Sequence, residues 1–279
     1  MKCLQWFPGH MTAAMRMMEE NLKAVDGVII ILDGRAPFAS VNGKLDDLFK
    51  NKKVLYVLNK CDLIEKDDAV RAVKKFRGQG KTAIAVSAFD KRAADALYDA
   101  VSALLKEKTE KNERKGVLRP MRVMVAGIPN TGKSTVINAL SGGKKTATGN
   151  KAGVTRGKQW VRLRDLELLD TPGTMPPAFS DQTLALHLAY LGCMNDANID
   201  FGDLAFELLK ELSQKYPQAL AARYGIETGA EPLDMMNAIC ERRGFLLKGG
   251  EYDYDRCASA VIDDFRKGRT GKIFLDSLG

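Results

Sequence analysis

The chain has 279 residues, 45% of them apolar and 28% charged, which suits one large or two ordinary domains with a real core. Its apolar strings, such as VIIIL at 28–32, fall well short of the roughly 18 residues a membrane-spanning helix needs, and MKCLQWFPGHM at the start lacks the apolar run of a secretory leader. Membrane and exported classes are therefore set aside, and the net charge of +8 turns attention to polyanionic partners.

Taken in chain order, four short apolar runs read as buried parallel strands: GVIIILD (27–33), VLYVLNK (54–60), TAIAVSA (82–88) and MRVMVAG (121–127). Helical periodicity lies between them, as in DDAVRAVKKF (67–76) and AADALYDAVSALL (93–105). This alternation predicts an α/β fold with a mostly parallel sheet and helices on both faces. The charged stretch 106–120 reads as a solvated linker or frayed helix end. KQWVRLR (158–164) alternates and LELLD (166–170) follows a tight turn, so the two predict an antiparallel hairpin. Beyond about residue 178 strand runs vanish and helical patterns take over, as in 201–216 and 255–268. The expected organisation is a nucleotide domain over 1–178, with halves 1–105 and 121–178, and a small all-helical domain over 179–279. Residues 1–179 hold 32 Lys/Arg and 19 Asp/Glu, whereas residues 180–279 hold 11 and 16, so the basic excess belongs to the first part. The five cysteines are odd in number and lack CxxC spacing, which reads as isolated reduced thiols in a reducing compartment.

The motifs also fall at strand ends. GIPNTGKS (127–134) follows one strand and opens a helix, the setting of a phosphate loop. Backbone N–H groups around Asn130, Thr131, Gly132 and Thr135 would face phosphates, Lys133 would reach the β- and γ-phosphates, and Ser134 would ligate Mg²⁺. DTPG (170–173) supplies Asp170, which can hold the Mg²⁺ shell through water, and Gly173, whose N–H can approach the γ-phosphate. Thr155 in AGVTRG (152–157) can close onto Mg²⁺ when the γ-phosphate is present. NKCD (59–62) ends another strand: Asp62 would accept from guanine N1–H and the 2-amino group, an edge adenine lacks, while Asn59 and Lys60 brace the loop. Ser87 and Ala88 end the next strand, where a backbone N–H can meet guanine O6. The order is base loop, SA loop, phosphate loop, Thr switch, DxxG. That is a circular permutation of the usual GTPase order, with residues 106–119 as the suture. A kinase is disfavoured, because no acceptor-substrate motif is visible.

QWFPGHM (5–11), DGRAPFAS (33–40), NKCD, GIPNTGKS, GVTRG and DTPG together resemble the circularly permuted ribosome biogenesis GTPases of the YlqF/RbgA type, and the tail 242–276 resembles that family's tail. The resemblance spans nearly the whole chain. It implies GTP and GDP binding, GTP hydrolysis, action in large ribosomal subunit assembly with rRNA contact, and a monomeric bacterial-type cytoplasmic protein. Hydrolysis would be stimulated on the ribosomal particle. Thr174 stands where Ras-like proteins have the water-orienting Gln, and it departs from the family's aliphatic residue too. The family's substitute is the His of the PGH motif, here His10; the bland alternative is a packed side chain in a tight turn. The remaining histidine, His187, reads as structural.

Asn130 either coordinates K⁺ beside the phosphates or stabilises the loop turn. Arg242, Arg243, Lys248, Arg266, Lys267, Arg269 and Lys272 crowd the last third of the helical part, with Phe245, Tyr252, Tyr254 and Phe265 between them. They form either an RNA-facing surface or an amphipathic core with charges outside. Two other function classes stay open: an rRNA-binding assembly factor that only senses GTP, and a GTPase acting off the ribosome.

Overall fold

The computed structural model describes residues 9–141, 159–176, 179, 181–227, 229 and 231–277, with side chains from residue 12. Thr155 lies outside the described residues, as do residues 142–158 around it. The described residues form two compact units, one within Gln5–Ser180 together with Phe274–Gly279, the other Asp181–Ile273. The tail thus departs from the expected domain 179–279: Phe274 is 5% exposed and packs in the core of the first unit.

In the first unit the elements run α1 (Gly9–Asn21), β1 (Gly27–Asp33), α2 (Gly43–Phe49), β2 (Lys53–Asn59), α3 (Lys66–Gly78), β3 (Thr82–Ala85), α4 (Ala93–Arg114), β4 (Met121–Ala126), α5 (Lys133–Leu140), β5 (Gln159–Leu163) and β6 (Leu166–Asp170). They build one six-stranded sheet in the order β3-β2-β1-β4-β6-β5. All neighbours are parallel except the β5–β6 hairpin at one edge. Every residue of β1 is buried because both faces of the sheet are covered. Alternation along the strand splits the core in two. Val28, Ile30 and Leu32 meet Met18 of α1, Phe49 of α2 and Phe76 of α3, whereas Ile29 and Ile31 share a cluster with Leu97 and Val101 of α4 and Val136 and Ile137 of α5.

Of the two readings of 106–120, linker or helix end, the structure takes the second for most of its length. Residues 106–114 are the last turns of α4, and only 115–120 connect it to β4. Spaced charges such as Glu110–Arg114 suit a solvent-facing helix surface. The suture is pinned at Asp26, just before β1, which accepts from both terminal nitrogens of Arg119 at 2.8 and 2.9 Å and from the Arg122 N–H at 2.8 Å, with Lys108 Nζ also at 2.8 Å. Burial alone would raise the Asp26 pKa; the Arg119 bond, the Arg122 N–H and Lys108 outweigh it and hold the carboxyl well below its usual range.

The second unit is helical: α6 (Gln182–Tyr190), α7 (Phe201–Lys215), α8 (Pro217–Tyr224), α9 (Pro232–Arg243) and α10 (Tyr254–Arg266), with an isolated bridge between Leu246 and Tyr252. His187 is buried with its Nε2 3.0 Å from Glu211, a structural contact. No helix among the described residues is long and apolar enough to cross a membrane. Asp264 on α10 is 1% exposed and is bonded by Arg223 Nη2 at 2.7 Å, Arg243 Nη2 at 3.0 Å and Arg269 Nη1 at 3.2 Å. Burial would raise its pKa, but the bonds from Arg223 and Arg269 and the Arg243 charge hold it below the usual range. A depressed folded pKa contributes stability above the unfolded value of about 3.9 and loses it as pH falls further. Asp264→Asn is therefore expected to cost about 1–2 kcal/mol at pH 7, because a buried carboxylate loses its charge-assisted bonds while the three guanidiniums, partly exposed, can turn to water. The variant should also show a shallower acid limb; urea unfolding between pH 3 and pH 7 reads both effects.

That cluster changes the reading of the basic tail. Arg243 and Arg269 serve Asp264, Lys267 and Arg269 pair with Asp263, and Arg266 holds Asp196 and the carbonyls of Ala189 and Tyr190. Phe245 and Phe265 are buried. Four of the seven cations named in the sequence thus have carboxylate partners within the unit, and two of the four aromatics belong to its core. Arg242 and Lys248 are exposed, and Leu246, Leu247 and Tyr254 are exposed near them in sequence.

Candidate functional site

In an open parallel sheet, ligands bind at the carboxyl ends of the strands where strand order reverses. Here β1 and β4 lie side by side, and Asp33, Asn59, Gly127 and Asp170 follow or end β1, β2, β4 and β6 on that same edge. The two motif sets, separated in the chain, come together there.

The phosphate loop leaves β4 at Gly127 and enters α5 at Lys133. Thr131 is buried, and its hydroxyl donates to the Ile128 carbonyl at 3.1 Å. Lys133 is 8% exposed, with its ammonium turned back onto the same carbonyl at 2.8 Å. Ser134 Oγ donates to Asp170 Oδ2 at 3.3 Å. Those two oxygen donors, side by side at a helix start, suit a hard cation such as Mg²⁺. Thr135 follows in the first turn of α5. Asn130 has φ 60, a left-handed conformation that Asn tolerates, which gives the loop-turn reading of this residue a geometric basis.

The base-reading loop is stitched to this loop. Asn59 Nδ2 donates to the Thr131 carbonyl at 2.9 Å, and Asn59 Oδ1 accepts from the Ala88 N–H at 3.1 Å. Lys60, left-handed at φ 61, sends its ammonium to the Asn130 carbonyl at 2.7 Å. One asparagine thereby joins NKCD, the SA loop and the phosphate loop. Asp62 is exposed and makes no ion pair among the described residues, so its carboxylate is offered to solvent. Ser87 Oγ accepts from the Phe89 N–H at 3.4 Å, within the SA loop. Burial pushes the neighbouring Cys61 thiol up to about 12, so it stays protonated. The four described cysteines are free thiols.

The DxxG segment packs onto the phosphate loop. A Cβ on Gly173 would lie 2.7 Å from Pro129 N, so only glycine fits there. Thr174 is buried, its N–H donates to the Gly127 carbonyl at 3.2 Å, and its carbonyl accepts from Asn42 Nδ2 at 3.0 Å. Pinned on both sides, Thr174 is not placed to take over a Gln's work on water. His10 opens α1 by its backbone, but its side chain is not among those described.

Sequence reasoning gave no role to two residues, Asp33 and Asn42. Asp33, fully buried at the end of β1, accepts from Arg35 Nη2 and from Lys60 Nζ, each at 2.8 Å. Burial alone would raise its pKa; the charges of Arg35 and Lys60 outweigh this and hold it far below its usual range. Asn42 caps α2 by accepting from the Lys44 N–H at 3.1 Å while tying that cap to Thr174. Asn-Gly-Lys ahead of a helical run is an N-cap signal and could have revealed Asn42. Nothing local marks the Asp33–Lys60 pairing.

Residues 122–216 match the family described as 50S ribosome-binding GTPase. Ribosome biogenesis GTPase A of Bacillus cereus is 36% identical over 277 residues, covering 98% of this chain and 94% of the relative. The protein of the same name from Priestia megaterium is 37% identical, with 98% and 96% covered. The crystal structure of GNP-bound YlqF from T. maritima is similar at a TM-score of 0.64 and 26% identity, covering 95% of this chain and 98% of that one.

Proposed function

The chain belongs to the ribosome biogenesis GTPase A family and is a GTPase, and we propose that it uses GTP hydrolysis, stimulated on the particle, to gate a step in assembly of the large ribosomal subunit. The observation that carries the reading is the stitch that makes the NKCD loop and the phosphate loop one nucleotide site: Asn59 to Thr131, and Lys60 to Asn130. In this reading the nucleotide unit, which includes the tail that returns at Phe274, carries the site, and the helical unit Asp181–Ile273 meets the particle. Arg242 and Lys248, near Leu246, Leu247 and Tyr254, are the part of it left to face rRNA.

The proposed mechanism uses the chain's own groups as follows. Backbone N–H groups of the loop around Asn130, Thr131 and Gly132 and of the α5 N-terminus, through Thr135, cradle the phosphates. Lys133 exchanges the Ile128 carbonyl for the β- and γ-phosphates. Asp62 reads the guanine edge, and the Ala88 N–H reaches O6 beside Ser87. Ser134 would ligate Mg²⁺, Asp170 would hold it through water, and Thr155 would complete the set of ligands. A Mg²⁺ held there would supply neutralisation of phosphate charge. The Gly173 N–H meets the γ-phosphate. Asn130 would hold a K⁺, which would supply positive charge beside the transferring phosphoryl group. His10 orients the attacking water once the particle places it, and the intrinsic rate is low because Thr174 is held elsewhere. The protein acts as a cytoplasmic monomer.

The test is GTP turnover in potassium buffer with large subunits, with small subunits and with neither. Stimulation by large subunits alone supports the proposal; equal rates in all three overturn it and leave a GTP sensor or an off-ribosome enzyme. His10→Ala should keep nucleotide affinity and lose the stimulated rate by about 100-fold or more, the usual weight of a positioned acid–base group. Stimulated turnover at the parental rate would remove His10 from the mechanism.

A further inference from the structure

The tail joins the nucleotide unit by more than apolar packing. The Leu275 N–H donates to the Arg35 carbonyl at 2.7 Å, and the Asp276 carboxylate accepts from the Phe38 N–H at 2.6 Å. These bonds grip the loop after β1 on both sides of its turn. Arg35 in that loop doubles back onto Asp33, with its N–H and Nε 3.1 and 3.0 Å from Oδ1. Asp33 in turn holds Lys60, whose ammonium reaches the phosphate loop at Asn130. Contacts therefore run unbroken from residues 275–276 through the loop after β1 to Lys60, two positions before Asp62.

We infer that Leu275 and Asp276 are positioning residues for base recognition: the C-terminal tail clamps the loop after β1, which keeps Asp33 on Lys60 and sets the base-reading loop in one register. The inference rests on the assignment of Asp62 to guanine. Its physical basis is the cost of a buried charge. A fully buried carboxylate is tolerated only while its cations stay in contact, so a loop that loosens around Arg35 admits water and releases Lys60. A chain that leaves this unit after Ser180 and returns at Phe274 also has its helical part tethered at both ends, one of them on the loop that steadies the base reader.

GDP and IDP differ only by the 2-amino group that Asp62 would read. A hydrogen bond to a charged acceptor makes the wild-type preference for GDP on the order of tenfold or more. In the full chain, Leu275→Pro, which removes the donor N–H, and Asp276→Ala, which removes the acceptor, should weaken GDP several-fold and contract the GDP:IDP ratio toward one. Asp276→Asn keeps an acceptor and should restore most of the ratio. Asp62→Asn serves as control. A wild type without guanine preference would sink the base assignment itself. If the wild type prefers GDP and Asp62→Asn does not, but both tail variants keep the full ratio and lose only thermal stability, the tail is mere packing and the inference is overturned. Should Leu275→Pro fail to fold, the Asp276 pair decides the matter.

Discussion

Asp62→Asn should cost guanine nucleotides at least about 100-fold in affinity and give the protein a preference for xanthine nucleotides. The carboxylate is expected to accept two hydrogen bonds from the guanine edge, and bonds to charged groups are worth about 1.5–3 kcal/mol each. An amide offers one donor and one acceptor, which meets the 2-oxo group and N1–H of xanthine instead. The substitution should leave the fold alone, because Asp62 is exposed and pairs with no cation among the described residues. Its loop is held from elsewhere, by Asn59 on the Thr131 carbonyl and Lys60 on Asp33. Equilibrium binding of GDP and XDP to both proteins is the check. Unchanged GDP affinity with an unchanged melting temperature would mean that Asp62 does not face the base, and the reading of NKCD would go with it.

The strands were legible because their run type is local. GVIIILD reads as a strand buried on both faces, and β1 is buried at every position. The inverted motif order was legible for the same reason, since each motif sits at a predicted strand end. Where the reading fell short, the deciding partner is far away in the chain. TAIAVSA looked like one strand to residue 88, but β3 stops at Ala85 and the Ala88 N–H goes to the Asn59 side chain. The charged run 106–119 read as a linker or a frayed helix end, and the sequence could not choose: through Arg114 it is the end of α4, with Lys108 paired to Asp26. The basic tail looked like a candidate RNA surface until Asp264 and Asp196 claimed its arginines. No composition rule says which carboxylate a given arginine serves. Asp33 shows the limit most clearly: DGR is visible in the sequence, but the meeting with Lys60 depends on β1 and β2 lying in register, with Asp33 opposite Asn59.

The same registry makes Gly132→Ala the more damaging change, because it acts on both halves of the site at once. Gly132 has φ +90, and an alanine Cβ there would come to 2.4 Å from Asn59 Nδ2. The left-handed conformation costs an L-residue about 1–2 kcal/mol. Relief of the clash must move either the loop that cradles the phosphates or the one amide that ties Thr131 to Ala88. GDP and XDP should both weaken by about 100-fold or more, equivalent to about 2.8 kcal/mol, with no change in base preference. That pattern separates it from Asp62→Asn, which exchanges one base for the other. Asn59→Ala should reproduce part of the loss without the backbone strain, and near-parental binding by Gly132→Ala would show that the two loops are not one unit. The expected coupling explains why the permuted order is tolerated. The base loop and the phosphate loop act together through contacts across the folded sheet, and those contacts do not depend on which loop comes first in the chain.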